Sequence, residues 1–189
     1  MVNSIVQAVY VYAASFHGKK LLALGGNSGN PIFDWFIGRE LNPRIGEFDI
    51  KTFNELRPGL ILWALLDISC VCHQYTKFGW VSDSIVLVTL FHIWYIVDSL
   101  INESTILTQM DITTDGFGFM LSVGDLAWLP FTYCLQARFL AFHPIHLGWL
   151  GVLAILAVQF TGYYIFRVAN LEKNEFRHGR NPKGTYAMR

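Results

Sequence analysis

The stretch from Phe91 to Asn102 reads FHIWYIVDSLIN, an apolar run in which polar side chains recur every three or four residues. At 100° per residue, these polar side chains fall within an arc of roughly 140° and share one helix face. They are His92, Tyr95, Asp98, Ser99 and Asn102. Because an ionisable group at membrane depth costs roughly 2.5–3.5 kcal/mol on insertion scales, we expect this face to line a polar site.

A second apolar segment with polar interruptions follows at Phe117–Leu140, and it holds Ser122, Asp125 and Gln136. The sequence MDITTDGFGF at 110–119 connects the two segments. Two such helices side by side predict a polar cavity inside an apolar bundle. The alternative interpretation is that these groups satisfy one another as hydrogen bonds between helices.

The composition is typical of a membrane protein. Of the 189 residues 53% are hydrophobic, the mean hydropathy is +0.37 and only 15% are charged, whereas soluble domains have about a quarter charged residues. The net charge of zero gives no support for nucleic-acid binding. Cys70 and Cys72 lie two residues apart without a CxxC motif, so neither a metal site nor a disulfide framework is predicted.

The basic residues are segregated along the chain. Two clusters contain most of them, and these are Lys19, Lys20, Arg39, Arg44, Lys51 and Arg57, then Arg167, Lys173, Arg177, Arg180, Lys183 and Arg189. By the positive-inside rule, both clusters face the cytosol. An even number of membrane spans must therefore separate them.

We predict an all-α, polytopic transmembrane helix bundle that forms one domain over residues 1–189. Four complete spans are expected at about 58–75, 83–101, 117–140 and 147–166, the third kinked at Pro130. The apolar segment Met1–Phe16 is short for a span and is interpreted as the end of a partial N-terminal one.

Five stretches of the chain resemble signatures of the membrane sterol reductases. They are GNPIFDWFIGRELNPR at 29–44, YIVD at 95–98 with Asn102-Glu103, LTQMDITTDGFGFML at 107–121, GDLAWLPF at 124–131 and NLEKNEFR at 170–177. The family includes Δ14-sterol reductases, 7-dehydrocholesterol reductase, Δ24(28)-sterol reductases and a domain of lamin B receptor. The uninterrupted run at 110–120 is most similar to fungal Δ14-sterol reductases. Family members are longer, so the chain resembles a fragment that lacks their N-terminal spans and C-terminal signature.

The resemblance implies an NADPH-dependent enzyme that reduces the C14=C15 double bond of sterol intermediates in ergosterol-type biosynthesis. It implies a location in the endoplasmic reticulum membrane, with the lipid bilayer and a sterol substrate as partners. The alternatives are a non-catalytic sterol-binding scaffold and a Δ7- or Δ24(28)-sterol reductase. The oligomeric state is left open.

The family reaction needs a proton donor, and Tyr95 is our candidate because it lies mid-face and matches the tyrosine proposed for that role. Asp98, Glu103, Asp115 and Asp125 are candidates for supporting the donor or polarising the pocket. The alternatives are an interfacial anchor for Tyr95 and structural hydrogen bonds for Asp98 and Asp125.

Lys173 and Arg177 lie four residues apart on a predicted helix, so both point to one side. In the family, the matching Lys and Arg contact NADPH, and Asn170 is a third candidate. A basic flank that sets topology or contacts anionic lipid is the alternative. Four aromatic residues are expected as walls of the sterol pocket or as lipid-facing residues, namely Phe117, Phe119, Trp128 and Phe131.

Overall fold

The computed structural model describes residues 1–180, and their regular secondary structure is mainly helical, as predicted. The helices are α1 (Val2–Ala14), α2 (Pro31–Ile37), α3 (Ile50–Leu56), α4 (Pro58–Phe78), α5 (Asp83–Ile101), α6 (Glu103–Ile106), α7 (Met110–Thr113), α8 (Phe119–Val123), α9 (Leu129–Tyr133), α10 (Leu135–Phe142) and α11 (Gly148–Arg177). A short antiparallel hairpin pairs β1 (Arg44–Ile45) with β2 (Phe48–Asp49). Lys183 and Arg189, which we assigned to a basic tail, lie outside the described residues.

By length and composition, three helical stretches within residues 1–180 can cross a membrane, at Ile50–Phe78, Asp83–Ile101 and Gly148–Arg177. The predicted spans at 58–75 and 83–101 correspond to α4 and α5. The span predicted at 147–166 continues to Arg177 in the structure, because the added residues contain no Gly or Pro to end the helix.

The predicted span 117–140 needs correction, because it is not one kinked helix. It consists of α8, a π-helical turn at Gly124–Trp128, α9 and α10. Pro130 has no N–H to donate, and just before it the Leu129 N–H reaches back five residues to the Gly124 carbonyl. The break therefore begins upstream of the proline and leaves Asp125 inside the π turn.

The broken segment runs alongside α4 and in the same direction. Gly59 at the start of α4 packs against the Asp125 carbonyl, and Gln74 near its end donates to the Leu140 carbonyl at 2.7 Å. Gly59 and Gln74 are fifteen residues apart on α4, and their partners Asp125 and Leu140 are also fifteen residues apart on the broken segment. The segment 119–142 thus runs beside α4 from near its start to near its end.

The connection between α1 and α4 is folded onto the end of the bundle where α4 begins and α5 ends. Lys51 is completely buried and donates to the carbonyls of Leu41 at 3.3 Å, Ile112 at 3.2 Å and Asp115 at 2.6 Å. Because an unpaired buried ammonium would be costly, these bonds hold the 110–115 segment in place.

Asp34 organises the glycine-rich part of the same connection. Its buried carboxylate accepts hydrogen bonds from the Ser28 hydroxyl at 2.7 Å and the Ser28 N–H at 2.8 Å. The Ser28 hydroxyl, followed by the Ser28 N–H, lowers the pKa of Asp34 below its usual value of 3.8. Asn30 caps α2 one turn before Asp34.

We expect Asp34→Asn to lower the temperature of thermal inactivation at neutral pH. A carboxyl whose pKa is lower when folded stabilises the folded state above its unfolded pKa, and this contribution is lost as the pH falls through the folded pKa. The difference between variant and wild type should therefore shrink in acid. Glu47→Gln, at an exposed carboxylate, is the control and should match wild type throughout. Equal inactivation temperatures for Asp34→Asn and wild type at neutral pH would contradict the assignment.

Candidate active site at the junction of two cavities

A polar cavity of about 290 Å³ lies at this same end of the bundle, among α3, α4, α5, the π turn and α11. Its lining includes the charged residues Glu55, Asp98, Asp111, Asp125 and Arg167. The remaining lining includes Tyr95, Asn102, Asn170, Leu60 and Phe166. The predicted polar cavity is therefore present, and carboxylates are its main charged groups.

A second cavity of about 330 Å³ lies between α5 and α11. Its walls are mainly apolar and aromatic, and they include Phe91, Trp94, Val158 and Gly162. Tyr95, Asp98 and Phe166 line both cavities. The two spaces thus meet along these three residues, with more polar groups on one side and mainly apolar groups on the other.

The polar face of α5 is divided between two neighbouring helices. Towards α11, Asp98 accepts from the Tyr163 hydroxyl at 2.8 Å and pairs with Arg167 at 3.4 Å. Arg167 also donates to the Asn102 side-chain oxygen at 2.6 Å. These hydrogen bonds between helices agree with the structural interpretation of Asp98, which nevertheless also lines both cavities.

Towards α4, His92 donates from Nδ1 to Asp67 Oδ2 at 2.6 Å. Between these two groups of contacts lies Tyr95, which is 48% exposed and whose hydroxyl makes no hydrogen bond within residues 1–180. Tyr95 is therefore the residue of this face whose polar atom is free to meet a ligand in the cavity.

The other predicted carboxylates differ in position. Asp125 lines the cavity from the π turn. Glu103 is paired with Arg57 at 2.9 Å and is not among the lining residues. Asp115 also stays outside the lining, and it contributes its backbone carbonyl to Lys51.

Sequence reasoning missed three charged cavity residues, Glu55, Asp111 and Arg167. The sequence did indicate that Arg167 could belong to the site, because it precedes the candidate Asn170 by about one helical turn and so shares its face. Glu55 and Asp111 lie in segments that we interpreted as connections, so helical periodicity gave no indication that they would reach the cavity.

The C-terminal half of α11 carries a stripe of groups that could bind phosphates. Arg167, Asn170, Lys173 and Arg177 fall within an arc of about 120° on one helix face. Lys173 and Arg177 are exposed, and neither makes an ion pair within the described residues. Because a helix rises 1.5 Å per residue, Arg177 lies about 10 Å beyond the cavity residue Asn170. The residues present therefore fit an elongated anionic cofactor.

The four aromatic residues expected as pocket walls lie elsewhere. Phe117 is buried with Val11 and Ile50, and Phe119 stacks on Trp35 at 4.6 Å. Trp128 and Phe131 are 63% and 56% exposed and face a separate apolar hollow near the N-terminus. The π turn changes the helical register at this point, so residues after it do not continue the face of Ser122.

A model of the ergosterol biosynthesis ERG4/ERG24 family matches residues 1–188. The chain belongs to this family. Among ERG4/ERG24 proteins, Delta(14)-sterol reductase erg24 of Schizosaccharomyces pombe is 64% identical over 181 residues, which are 95% of this chain and 43% of that protein. Delta(14)-sterol reductase ERG24 of Saccharomyces cerevisiae is 55% identical over 188 residues, covering 94% of this chain and 43% of that protein.

The Candida albicans Delta(14)-sterol reductase ERG24 is 52% identical over 95% of this chain and 43% of its own length. The chain therefore spans less than half the length of these ERG4/ERG24 relatives. The family membership confirms the resemblance that the five motifs indicated.

Proposed function

We propose that this chain carries part of the active site of a Δ14-sterol reductase, which reduces the C14=C15 double bond of sterol intermediates in ergosterol-type biosynthesis. The endoplasmic reticulum membrane is the proposed location. The observation that carries the proposal is the unbonded Tyr95 hydroxyl at the meeting point of a polar and an apolar cavity. The names of the similar fungal proteins support the choice of the Δ14 bond.

In the proposed mechanism, the sterol lies in the apolar cavity with its double bond towards Tyr95. The Tyr95 hydroxyl gives its proton to C15, the electrons of the double bond form the new C–H bond, and C14 becomes a tertiary cation. Phe91, Trp94 and Phe166 surround the reacting region with apolar surface and keep water from capturing the cation. NADPH, when bound, supplies the hydride that completes the reduction at C14.

The carboxyl groups of the polar cavity have two roles in this proposal. Asp98 places negative charge near the positive charge that develops at C14, which stabilises the transition state, and Asp125 polarises the pocket from the π turn. Asp98 is also held by Tyr163 and Arg167, so its position is fixed before the substrate arrives. Glu103 and Asp115 lie outside the lining, and we assign them to holding α6 and the 110–115 segment around the cavity.

Lys173 and Arg177 are proposed to bind the phosphates of NADPH, with Asn170 at the edge of the cavity orienting the part nearest the sterol. Arginine can bind phosphate with two parallel hydrogen bonds, and lysine adds a compact charge. Their exposure on the cytosolic side suits a cofactor that arrives from solution.

The test of the proposed function is turnover in membranes of a yeast strain that lacks its own Δ14-sterol reductase. The full coding sequence that contains this chain is expressed there, and sterols are followed by mass spectrometry. We expect NADPH-dependent loss of a Δ8,14 sterol diene. Conversion of only a Δ7 or Δ24(28) substrate would assign a different reductase, and sterol binding without any turnover would favour a scaffold.

Replacing both Lys173 and Arg177 by alanine should raise the KM for NADPH by about a hundredfold or more, because each charge-assisted hydrogen bond contributes about 1.5–3 kcal/mol. The KM for the sterol should stay unchanged. Arg180→Ala, which removes a cation on the same side but beyond α11, is the matched control. If Arg180→Ala and the double variant behave alike, a general basic flank would explain the charges better than cofactor binding.

A further inference from the structure

Asp67 and His92 form a polar pair at the middle of two membrane helices. Asp67 is the tenth of the 21 residues of α4, and His92 is the tenth of the 19 residues of α5. Asp67 is completely buried, and the His92 side chain is 17% exposed. Ionisable groups at this depth are expensive and require a specific partner. The pair does not line the polar cavity, so the mechanism above leaves it without a role.

Asp67 and His92 are joined by one short hydrogen bond. His92 Nδ1 donates to Asp67 Oδ2 at 2.6 Å, whereas Asp67 Oδ1 has no hydrogen-bond partner among residues 1–180. The carboxylate therefore depends on His92 for its hydrogen bonding. Because breaking a buried pair leaves one polar partner unsatisfied, the imidazole is held firmly in a single orientation.

The Trp63 ring connects this pair to the proposed proton donor. Trp63 lies one turn before Asp67 on α4 and is 3% exposed. Its ring centroid is 4.5 Å from that of His92, 5.9 Å from that of Tyr95 and 5.0 Å from that of Tyr133. The indole thus contacts both the imidazole and the Tyr95 phenol, which lie one turn apart on α5.

We propose that Asp67, His92 and Trp63 act as a positioning unit that holds the Tyr95 ring at the junction of the two cavities. The inference rests on the proposed function, since it assigns residues that orient the proposed donor. Tyr95 needs such support, because it is half exposed and its hydroxyl has no hydrogen bond in the described part of the chain. Aromatic contacts on Trp63 restrict the ring without using the hydroxyl, which stays available for the substrate.

The first test is a double-mutant cycle with Asp67→Asn and Tyr95→Phe in membranes, with rates normalised to folded protein. Asp67→Asn keeps the shape of the side chain but weakens its bond to His92. We expect it to lower kcat about tenfold with little change in the KM for the sterol, because small displacements of a reacting group are costly in rate. In the Tyr95→Phe background it should have no further effect, because both changes act through the same hydroxyl.

The second test is rescue at His92. In His92→Asn the side-chain amide nitrogen lies near the position of imidazole Nδ1 and can still donate to Asp67, whereas His92→Leu cannot. We expect His92→Asn to retain several times the kcat of His92→Leu. This comparison of the two His92 variants tests the positioning role even if Asp67→Asn does not accumulate in membranes.

A matched control is Gln74→Met, which removes another buried polar group of α4. Gln74 bonds to Leu140 and Ser82 far from Tyr95, so its loss should reduce the amount of folded protein but leave kcat per folded molecule unchanged. Equal kcat values for His92→Asn and His92→Leu, or an Asp67→Asn effect that persists in Tyr95→Phe, would overturn the positioning role. High activity of Tyr95→Phe alone would instead refute the donor role of the proposed function.

Discussion

Tyr95→Phe should lower turnover of the Δ14 sterol at least about a hundredfold per folded molecule, because general acid catalysis contributes about 10²–10⁴-fold to rate. The substitution removes the hydroxyl and keeps the ring on Trp63, so packing and sterol binding should persist. The KM for the sterol should therefore change little while kcat falls. The measurement is the initial rate of diene loss over a range of sterol concentrations in membranes.

Tyr164→Phe is the matched control for Tyr95→Phe. Tyr164 is a tyrosine of the neighbouring helix α11, is 69% exposed and lines neither cavity at Tyr95. This variant should keep wild-type turnover. If Tyr95→Phe keeps more than about a tenth of the wild-type kcat, the loss of rate is smaller than that expected for loss of a general acid. Another group would then supply the proton.

Gly116→Ala should prevent stable folding, with an expected cost of about 3 kcal/mol or more from overpacking. A Cβ at position 116 would overlap the carbonyl oxygen of Gly38 and crowd Ala23. Gly38 cannot move away easily, because its φ of 102° is already in a region that favours glycine and its backbone also packs against Gly118. This crossing joins the α1–α4 connection to the segment before α8, so both would be displaced.

The amount of protein in membranes and its thermal inactivation temperature measure the effect of Gly116→Ala. Gly162→Ala is the control, because nothing lies within 4 Å of a Cβ there and the residue is inside α11. It should be neutral or slightly stabilising, as alanine favours helix more than glycine does. Normal accumulation and an unchanged inactivation temperature for Gly116→Ala would show that the two backbones can separate.

The bounds of α5 and the residues on its polar face could be predicted from the sequence. Helical spacing correctly grouped His92, Tyr95, Asp98 and Asn102 on one face, and the predicted bounds of α5 agree with the structure. The face was interpreted either as the lining of a polar cavity or as a set of hydrogen bonds between helices, and the structure contains both. His92 and Asp98 bond to other helices, and Tyr95 lines a cavity with its hydroxyl free.

The third predicted span shows where pattern reasoning fails. Hydropathy identified 117–140 as a membrane segment, and Pro130 was correctly expected to disturb it. The π turn at Gly124–Trp128 begins before that proline, and its Asp125 carbonyl packs against Gly59 of α4. That contact lies between distant segments, so no local pattern contains it.

The sequence by itself determined that α4, α5 and α11 are long apolar helices and that α5 has a polar face, because each feature depends on residues within a few helical turns. Only the tertiary structure decided which partner each polar group has. His92 meets Asp67 across 25 residues, and Asp98 meets Tyr163 and Arg167 across 65 and 69 residues. The physical reason is that helices in a membrane associate through packing and individual hydrogen bonds, and these depend on which helices are neighbours in the fold.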